Sequence, residues 1–160
     1  MSDETPPIAE VKGLFETHLT VRDLERSIAF YRDVLGLPLA IRIPERNVAF
    51  FWVPTPGAGM LGLWQVGTGP NFMRLHVAFA VDLEDLEVII PKIAARGLEA
   101  RDGDLMTEPS VFAWMPAAQV SLLDPDGHSI ELLAMLSDPP GPELGRLPLS
   151  EWRALQGDGQ

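Results

Sequence analysis

The stretch His18-Leu19-Thr20-Val21-Arg22-Asp23-Leu24-Glu25-Arg26-Ser27-Ile28-Ala29-Phe30-Tyr31-Arg32-Asp33-Val34-Leu35-Gly36-Leu37 decides the fold. Its first residues continue a strand pattern that begins at Val11. Phe15, Thr17, Leu19 and Val21 share one parity, and Glu16, His18 and Thr20 share the other. Asp23 is a good helix N-cap, and Leu24, Ile28, Tyr31, Val34 and Leu35 then recur at helical spacing. Gly36 closes the pattern as the residue just past the helix end.

Further along, the same pattern returns. Residues 75–81 are a strand candidate, Asp82 a cap, 83–96 a helical pattern, and Gly97 its end. Pro91 falls inside this second helix, where a proline costs about 3 kcal/mol, so the sequence predicts a kink or a later start. Apolar runs follow each helix, at 37–43, 48–53 and 60–66, and again at 98–100, 111–115, 119–123 and 128–135. Asp124-Pro125-Asp126-Gly127 is a strong turn signal before the last run. Each half reads strand, helix, then about three strands, which is an internal repeat. The spacing makes Glu16 and His76 equivalent, and at the ends of the halves it lays Gly62 over Glu131.

The whole chain has 160 residues, with 12 basic and 23 acidic side chains and a net charge of −11. So acidic a chain suits neither a phosphate backbone nor an anionic membrane, and nucleic acid is not an expected partner. Apolar residues make up 46 %, enough to bury a core. The absence of Cys removes disulfides, thiolate nucleophiles and Cys-ligated zinc. Met1 to Pro7 is acidic without the apolar core of a signal peptide, and no run approaches the roughly eighteen apolar residues of a membrane span. A cytoplasmic protein is expected. Residues 1–10 read as a flexible arm, 11–136 as one domain with modules 13–66 and 73–136, and 137–160 as a Pro/Gly-rich tail. In that tail Leu147, Leu149 and Trp152 are expected to dock on the body or on a partner chain.

Strand parity then isolates the chemistry. In the second half Leu75, Val77, Phe79 and Val81 oppose His76, Ala78 and Ala80, and in the last strand Ile130 and Leu132 oppose Glu131 and Leu133. The large apolar face should lie under the helices. The other face carries small residues with Glu16, His18, His76 and Glu131, as the wall of a cavity would. A single strand histidine is most often a plain core or surface residue. Two histidines and two glutamates at repeat-equivalent places form an imidazole and carboxylate set suited to Mn, Fe, Ni, Co or Zn. Trp64 and Leu133 share that face, and Phe50, Trp52, Trp114 and Met115 in neighbouring strands are candidates to line an aromatic substrate pocket. His128 is expected to be exposed in its turn, and Asp124 and Asp126 are turn formers before they are acids. Gly57-Ala58-Gly59 lacks the strand-to-helix context of a phosphate loop, and Ser27, Ser110, Ser121 and Ser129 lie in no nucleophile elbow.

The segment 18–37, the strand His76 to Val81 and the run Asp124-Pro125-Asp126-Gly127-His128-Ser129-Ile130-Glu131-Leu132 together resemble the vicinal oxygen chelate superfamily. That superfamily contains glyoxalase I, fosfomycin-resistance thiol transferases, extradiol dioxygenases and bleomycin-binding proteins. The resemblance spans about residues 13–136. It implies an α+β, glyoxalase-like fold of two βαβββ modules, whose curled mixed sheets surround a central metal cavity. Ligands are then implied on the first and last strand of each module. His76 and Glu131 fall on the second module's places. The first module departs from the pattern. Its first place falls on Glu16, with His18 two residues on and on the same face, and its last falls on Gly62, which can ligate nothing. Gln65 could substitute only if the strand bulges. The implied metal set is therefore Glu16 or His18 or both, with His76 and Glu131, and Glu16 and Glu131 are the implied catalytic carboxylates. The expected function is a glyoxalase-like lyase or isomerase that acts through a divalent metal on a small oxygen-chelating substrate. The alternatives are a fosfomycin-type thiol transferase or extradiol dioxygenase, and a metal-free, bleomycin-resistance-like binding protein. A homodimer is implied as well.

Overall fold

The computed structural model describes residues 12–65, 73–102 and 104–157, so the 1–10 arm and Val66 lie outside the described residues. The chain divides into two compact units, Met1–Thr68 and Gly69–Gln160.

The first unit opens with β1 (Glu16–Val21), followed by α1 (Leu24–Ala29). Asp23 caps α1 from an extended backbone, its carboxylate accepting the Arg26 N–H at 3.0 Å. The sequence predicts one α-helix to Leu35, but residues Phe30–Val34 widen into π geometry, with the Leu35 N–H reaching the Phe30 carbonyl at 3.2 Å. Phe30 and Tyr31 are both buried there, one turn on from the buried Ser27 and Ile28. Gly36, at φ +72°, ends the segment as predicted.

Next come β2 (Leu39–Ile43), β3 (Val48–Trp52) and β4 (Met60–Gln65), in the sheet order β1-β4-β3-β2. The first and last strands are parallel neighbours, and the other pairs are antiparallel. Leu19, Val21, Ala49, Phe51, Leu61 and Leu63 are buried on one face, together with Leu24, Ile28 and Tyr31 from the helical segment. Each large side chain so buried stabilises the unit by about 1.5–3 kcal/mol.

The second unit repeats this plan. Its strand β5 (His76–Ala80) leads into α2 (Leu83–Glu87) and α3 (Ile89–Ala94). Val88, at φ −110° and ψ 9°, breaks the helix in two and leaves Pro91 in the first turn of α3, where no intrahelical N–H is required. The run at 98–100 is no strand. Pairing starts later, at β6 (Arg101–Asp102) and β7 (Asp104–Leu105), where Arg101 lies opposite Ser121. Then follow β8 (Ser110–Phe112), β9 (Ala117–Leu123), β10 (Ser129–Met135), β11 (Arg146–Pro148) and α4 (Leu149–Gly157), with the sheet order β11-β8-β9-β10-β5. Again the outer β5 runs parallel to the last module strand, β10.

The tail completes this unit. Strand β11 pairs with β8, and Leu147, Leu149 and Trp152 are buried, with the Trp152 indole N–H donating to Asp138 Oδ2 at 2.9 Å. Their apolar surface is therefore spent within the unit. The expectation that His128 is exposed is corrected: it is fully buried, its Nδ1 accepting the Leu75 N–H at 3.0 Å. The neighbouring turn is held by Asp124 Oδ1, which accepts the N–H groups of Asp126 at 2.9 Å and His128 at 2.8 Å.

Candidate functional site

In the first unit, Glu16 and His18 project from the face of β1 opposite the core. They are two residues apart on one strand, so their side chains lie side by side. Glu16 Oε1 and His18 Nε2 are 2.9 Å apart, and both side chains are partly exposed. Across the parallel ladder His18 faces Gly62. A Cβ at Gly62 would lie 2.6 Å from His18 Cδ2 and 2.9 Å from Phe50 Cε1, so only glycine leaves room for the imidazole there. The ring is framed by Phe50 at 5.9 Å and Trp64 at 5.6 Å between centroids. The Arg46 guanidinium sits 4.7 Å over the Trp64 ring, while the buried Trp64 indole nitrogen has no hydrogen-bond partner. Trp52, half-buried, is on the same face opposite Met60. Gln65 stays on the other face. The β1–β4 ladder has no bulge, and Gln65 Oε1 accepts the Leu24 N–H at 3.4 Å.

In the second unit, His76 and Glu131 come together from adjacent parallel strands. His76 Nε2 lies 2.9 Å from Glu131 Oε2, and His76 Nδ1 lies 3.2 Å from Ser129 Oγ. With Nε2 as donor to the carboxylate, Nδ1 accepts the serine hydroxyl, which fixes the ring. The Glu131 side chain is only 8 % exposed, and its other oxygen, Oε1, is buried with no hydrogen-bond partner. A buried carboxylate oxygen left unpaired is costly, and natural proteins keep such atoms where something else binds them. Trp114 lies in the turn between β8 and β9, mostly exposed, rather than in a strand, and Met115 follows it there. Leu133 is half-buried on the face of Glu131.

Sequence parity alone leaves out a polar row beside Glu131. Ser121 lies directly opposite Glu131 on β9. Its hydroxyl donates to Gln119 Oε1 at 2.9 Å, and the fully buried Gln119 passes the chain on from Nε2 to Ser110 Oγ at 2.7 Å. Arg146 Nε donates to the same Ser110 oxygen at 3.0 Å, and the Arg146 guanidinium pairs with Asp102. The signal for this row was present in the alternation of Gln119 and Ser121 within an otherwise apolar strand.

Each pair offers one imidazole nitrogen and one carboxylate, the donor types that divalent first-row metals take up. Without an ion, each pair is an acid–base couple. Within either unit, the described residues assemble no group of three or more His, Asp or Glu side chains around one point. Among them, too, no helix is long and apolar enough to cross a membrane.

Comparison with known proteins agrees with this architecture. A family model described as Glyoxalase/Bleomycin resistance protein/Dioxygenase superfamily matches residues 13–132. The metallothiol transferase FosB of Staphylococcus epidermidis is 26 % identical over 133 residues, covering 76 % of this chain and 83 % of that protein. Among solved structures, an integron cassette protein from the mobile metagenome of the Halifax Harbour sewage outfall is 29 % identical, with a TM-score of 0.66 over 78 % of this chain and all of that one. The lactoylglutathione lyase of Agrobacterium tumefaciens is 23 % identical, with a TM-score of 0.61 over 81 % of this chain and 96 % of its own, and shares the fold.

Proposed function

The chain belongs to the Glyoxalase/Bleomycin resistance protein/Dioxygenase superfamily, and on that footing we propose that it is a divalent-metal-dependent enzyme acting on a small oxygen-chelating substrate. The observation that carries this reading is Glu131. It is buried beside His76 with one oxygen bonded and the other orphaned, as a carboxylate reserved for an ion would be. His76 and Glu131 would then hold the metal from within the second unit. When bound, the ion supplies Lewis acidity, stabilising negative charge on the substrate oxygens. Within the first unit, Glu16 and His18, 2.9 Å apart, are the candidate acid–base couple that would move a proton. Phe50, Trp52 and Trp64 provide an aromatic wall against which an apolar part of the substrate is held.

For the reaction class we propose thiol transfer, because the curated relatives of this chain are metallothiol transferases. In that reaction a bond forms between sulfur and a substrate carbon as a carbon–oxygen bond breaks. The thiol proton is taken up by the base, and the released oxygen receives a proton. Glyoxalase-like lyase or isomerase chemistry and dioxygenation are the competing classes on this fold. A cytoplasmic homodimer belongs to the same proposal, with an interface other than Leu147, Leu149 and Trp152, which the second unit buries.

The test is metal stoichiometry by elemental analysis, on protein purified without chelator and after loading with Mn, Fe(II), Co, Ni or Zn. About one tightly held ion per chain, lost in Glu131→Ala, supports the proposal. Thiol-dependent consumption of a phosphonate epoxide, against a hemithioacetal and a catechol, then sorts the classes. No ion under any loading overturns it in favour of a metal-free binding protein for aromatic ligands.

A further inference from the structure

We infer that a recess on the Glu131 face of the second unit is a ligand subsite for a protonated amine, because the serine hydroxyls that line it have committed their protons elsewhere and present only lone pairs. The recess has a volume of about 250 Å³, and its lining includes Arg101, Asp102, Ser121, Leu123 and Ser129. Ser121 lies directly opposite Glu131, and Leu123 opposite Ser129, so all four share one face of the β9–β10 pair. Arg101, on β6, lies opposite Ser121 from the other side. No metal is needed for this reading, and every residue in it belongs to one unit.

The polar row from Arg146 to Ser121 has a direction, and its far end sets it. Arg146 can only donate, and the Asp102 carboxylate can only accept. Ser110 Oγ accepts the Arg146 Nε–H at 3.0 Å and has Asp102 Oδ2 at 3.4 Å, so its single proton goes to the carboxylate. With that proton spent, Ser110 meets Gln119 as an acceptor, 2.7 Å from Nε2. The Gln119 amide is thereby fixed with Oε1 toward Ser121, whose hydroxyl donates to it at 2.9 Å. A flipped amide would set its oxygen against a hydroxyl with no proton left, at a fully buried position where an unpaired oxygen is costly. Ser121 Oγ thus turns only lone pairs toward the recess. Ser129 reaches the same state by another route. Its hydroxyl donates to His76 Nδ1 at 3.2 Å, while His76 Nε2 serves Glu131.

An acceptor-only surface selects its ligand by protons. An ammonium carries N–H donors and no lone pair, so it fits both serines at once, whereas a carboxylate brings only acceptors. Arg101, the cation in the lining, is already bridged to Glu99, its Nε donating at 3.1 Å, and an anion would have to displace that partner. Leu123, exposed beside Ser129 on the same face, gives an alkyl group something to rest on. A ligand that also reaches the His76–Glu131 pair is then sorted by its adjoining arm, an amine being accepted and a carboxylate refused. Ser110 and Arg146 act on the recess only through the row, as positioning residues, and Arg146 makes the C-terminal tail part of this selection.

The test is NMR titration of the isotopically labelled full chain, run in chelator so that the outcome is independent of metal. The probes are methylammonium, tetramethylammonium, which has the same charge and no N–H, and acetate. Methylammonium should give saturable shifts of the Arg101, Ser121 and Ser129 amides, and the other two should give none there. Ser121→Ala should weaken methylammonium at least about 10-fold, the worth of one hydrogen bond to a charged group. Ser110→Ala, outside the recess, should weaken it too, and Ser110→Thr, which keeps the hydroxyl, should not. The comparison of probes on the wild type needs no variant, so it decides the matter even if a substituted chain fails to fold. Equal shifts from methylammonium and tetramethylammonium, acetate bound at these amides, or no saturable shift overturns the inference. So does a folded Ser121→Ala with unchanged affinity for methylammonium, or a Ser110→Thr as weak as Ser110→Ala.

Discussion

Replacing Glu131 with methionine should stabilise the ion-free protein. The Glu131 side chain is 8 % exposed; one oxygen is bonded to His76 and the other has no partner. An unpaired buried polar atom costs about 1–3 kcal/mol. Against this stands the ion pair with His76, whose side chain is 55 % exposed. Screened by water on that side, the pair contributes about 0–1 kcal/mol. Methionine has nearly the same length and volume and carries no strongly polar atom, so it fills the space and removes the orphan. The net expectation is a gain of about 1–2 kcal/mol in chelator, seen as a higher urea midpoint at unchanged slope. Addition of Co(II) should then reverse the order. At about 100 times its Kd an ion stabilises the wild type by about 2.7 kcal/mol, and Glu131→Met should gain almost none of this. A variant less stable than wild type in chelator would show that the carboxylate is structurally satisfied and the orphan argument wrong. Equal gains from Co(II) would show that Glu131 is no ligand.

Two further outcomes follow from the second unit. Gln119→Met should destabilise by about 1–3 kcal/mol, because it removes the amide that joins the Ser110 and Ser121 hydroxyls within a fully buried position; urea titration measures it, and a change below 0.5 kcal/mol would mean the row is not cohesive. Trp152→Ala should cost about 3–5 kcal/mol, with the loss of amide protection confined to β8, β11 and α4, since the indole is 1 % exposed and bonded to Asp138; uniform loss of protection in hydrogen exchange would refute that localisation.

What the sequence discloses here is what short-range rules govern. Asp23, Gly36 and Pro91 act through their own backbone geometry, so the cap, the helix end and the broken second helix could all be read in advance. Strand parity likewise put Glu16 and His18 on one face and His76 and Glu131 on another, because alternation needs no knowledge of partners. Features that depend on a distant partner stayed hidden. His128 looks like an exposed turn residue until the Leu75 N–H, 53 positions away, is found to donate to it. The polar row from Ser121 to Arg146 exists only once the β8–β9–β10–β11 register is known. That Gly62 makes room for the His18 ring shows only once the parallel ladder sets the two opposite each other. The π turn at Phe30–Val34 is likewise not visible in the helical periodicity of the segment.

The parallel contact between β5 and β10 has a bearing on how the second unit is assembled. Partners such as His76 and Ser129 are 53 residues apart, so this contact closes a long loop whose entropy must be overcome before it forms. Hairpins such as β9–β10 need only the turn at Asp124–Gly127 and can form early. The His76–Glu131 pair therefore exists only once this long loop has closed, and a chain with the β9–β10 hairpin alone has no donor pair to offer. An ion held there would act as a removable cross-link between the two strands that close this loop. Reversible metal uptake would then report on closure of the β5–β10 contact.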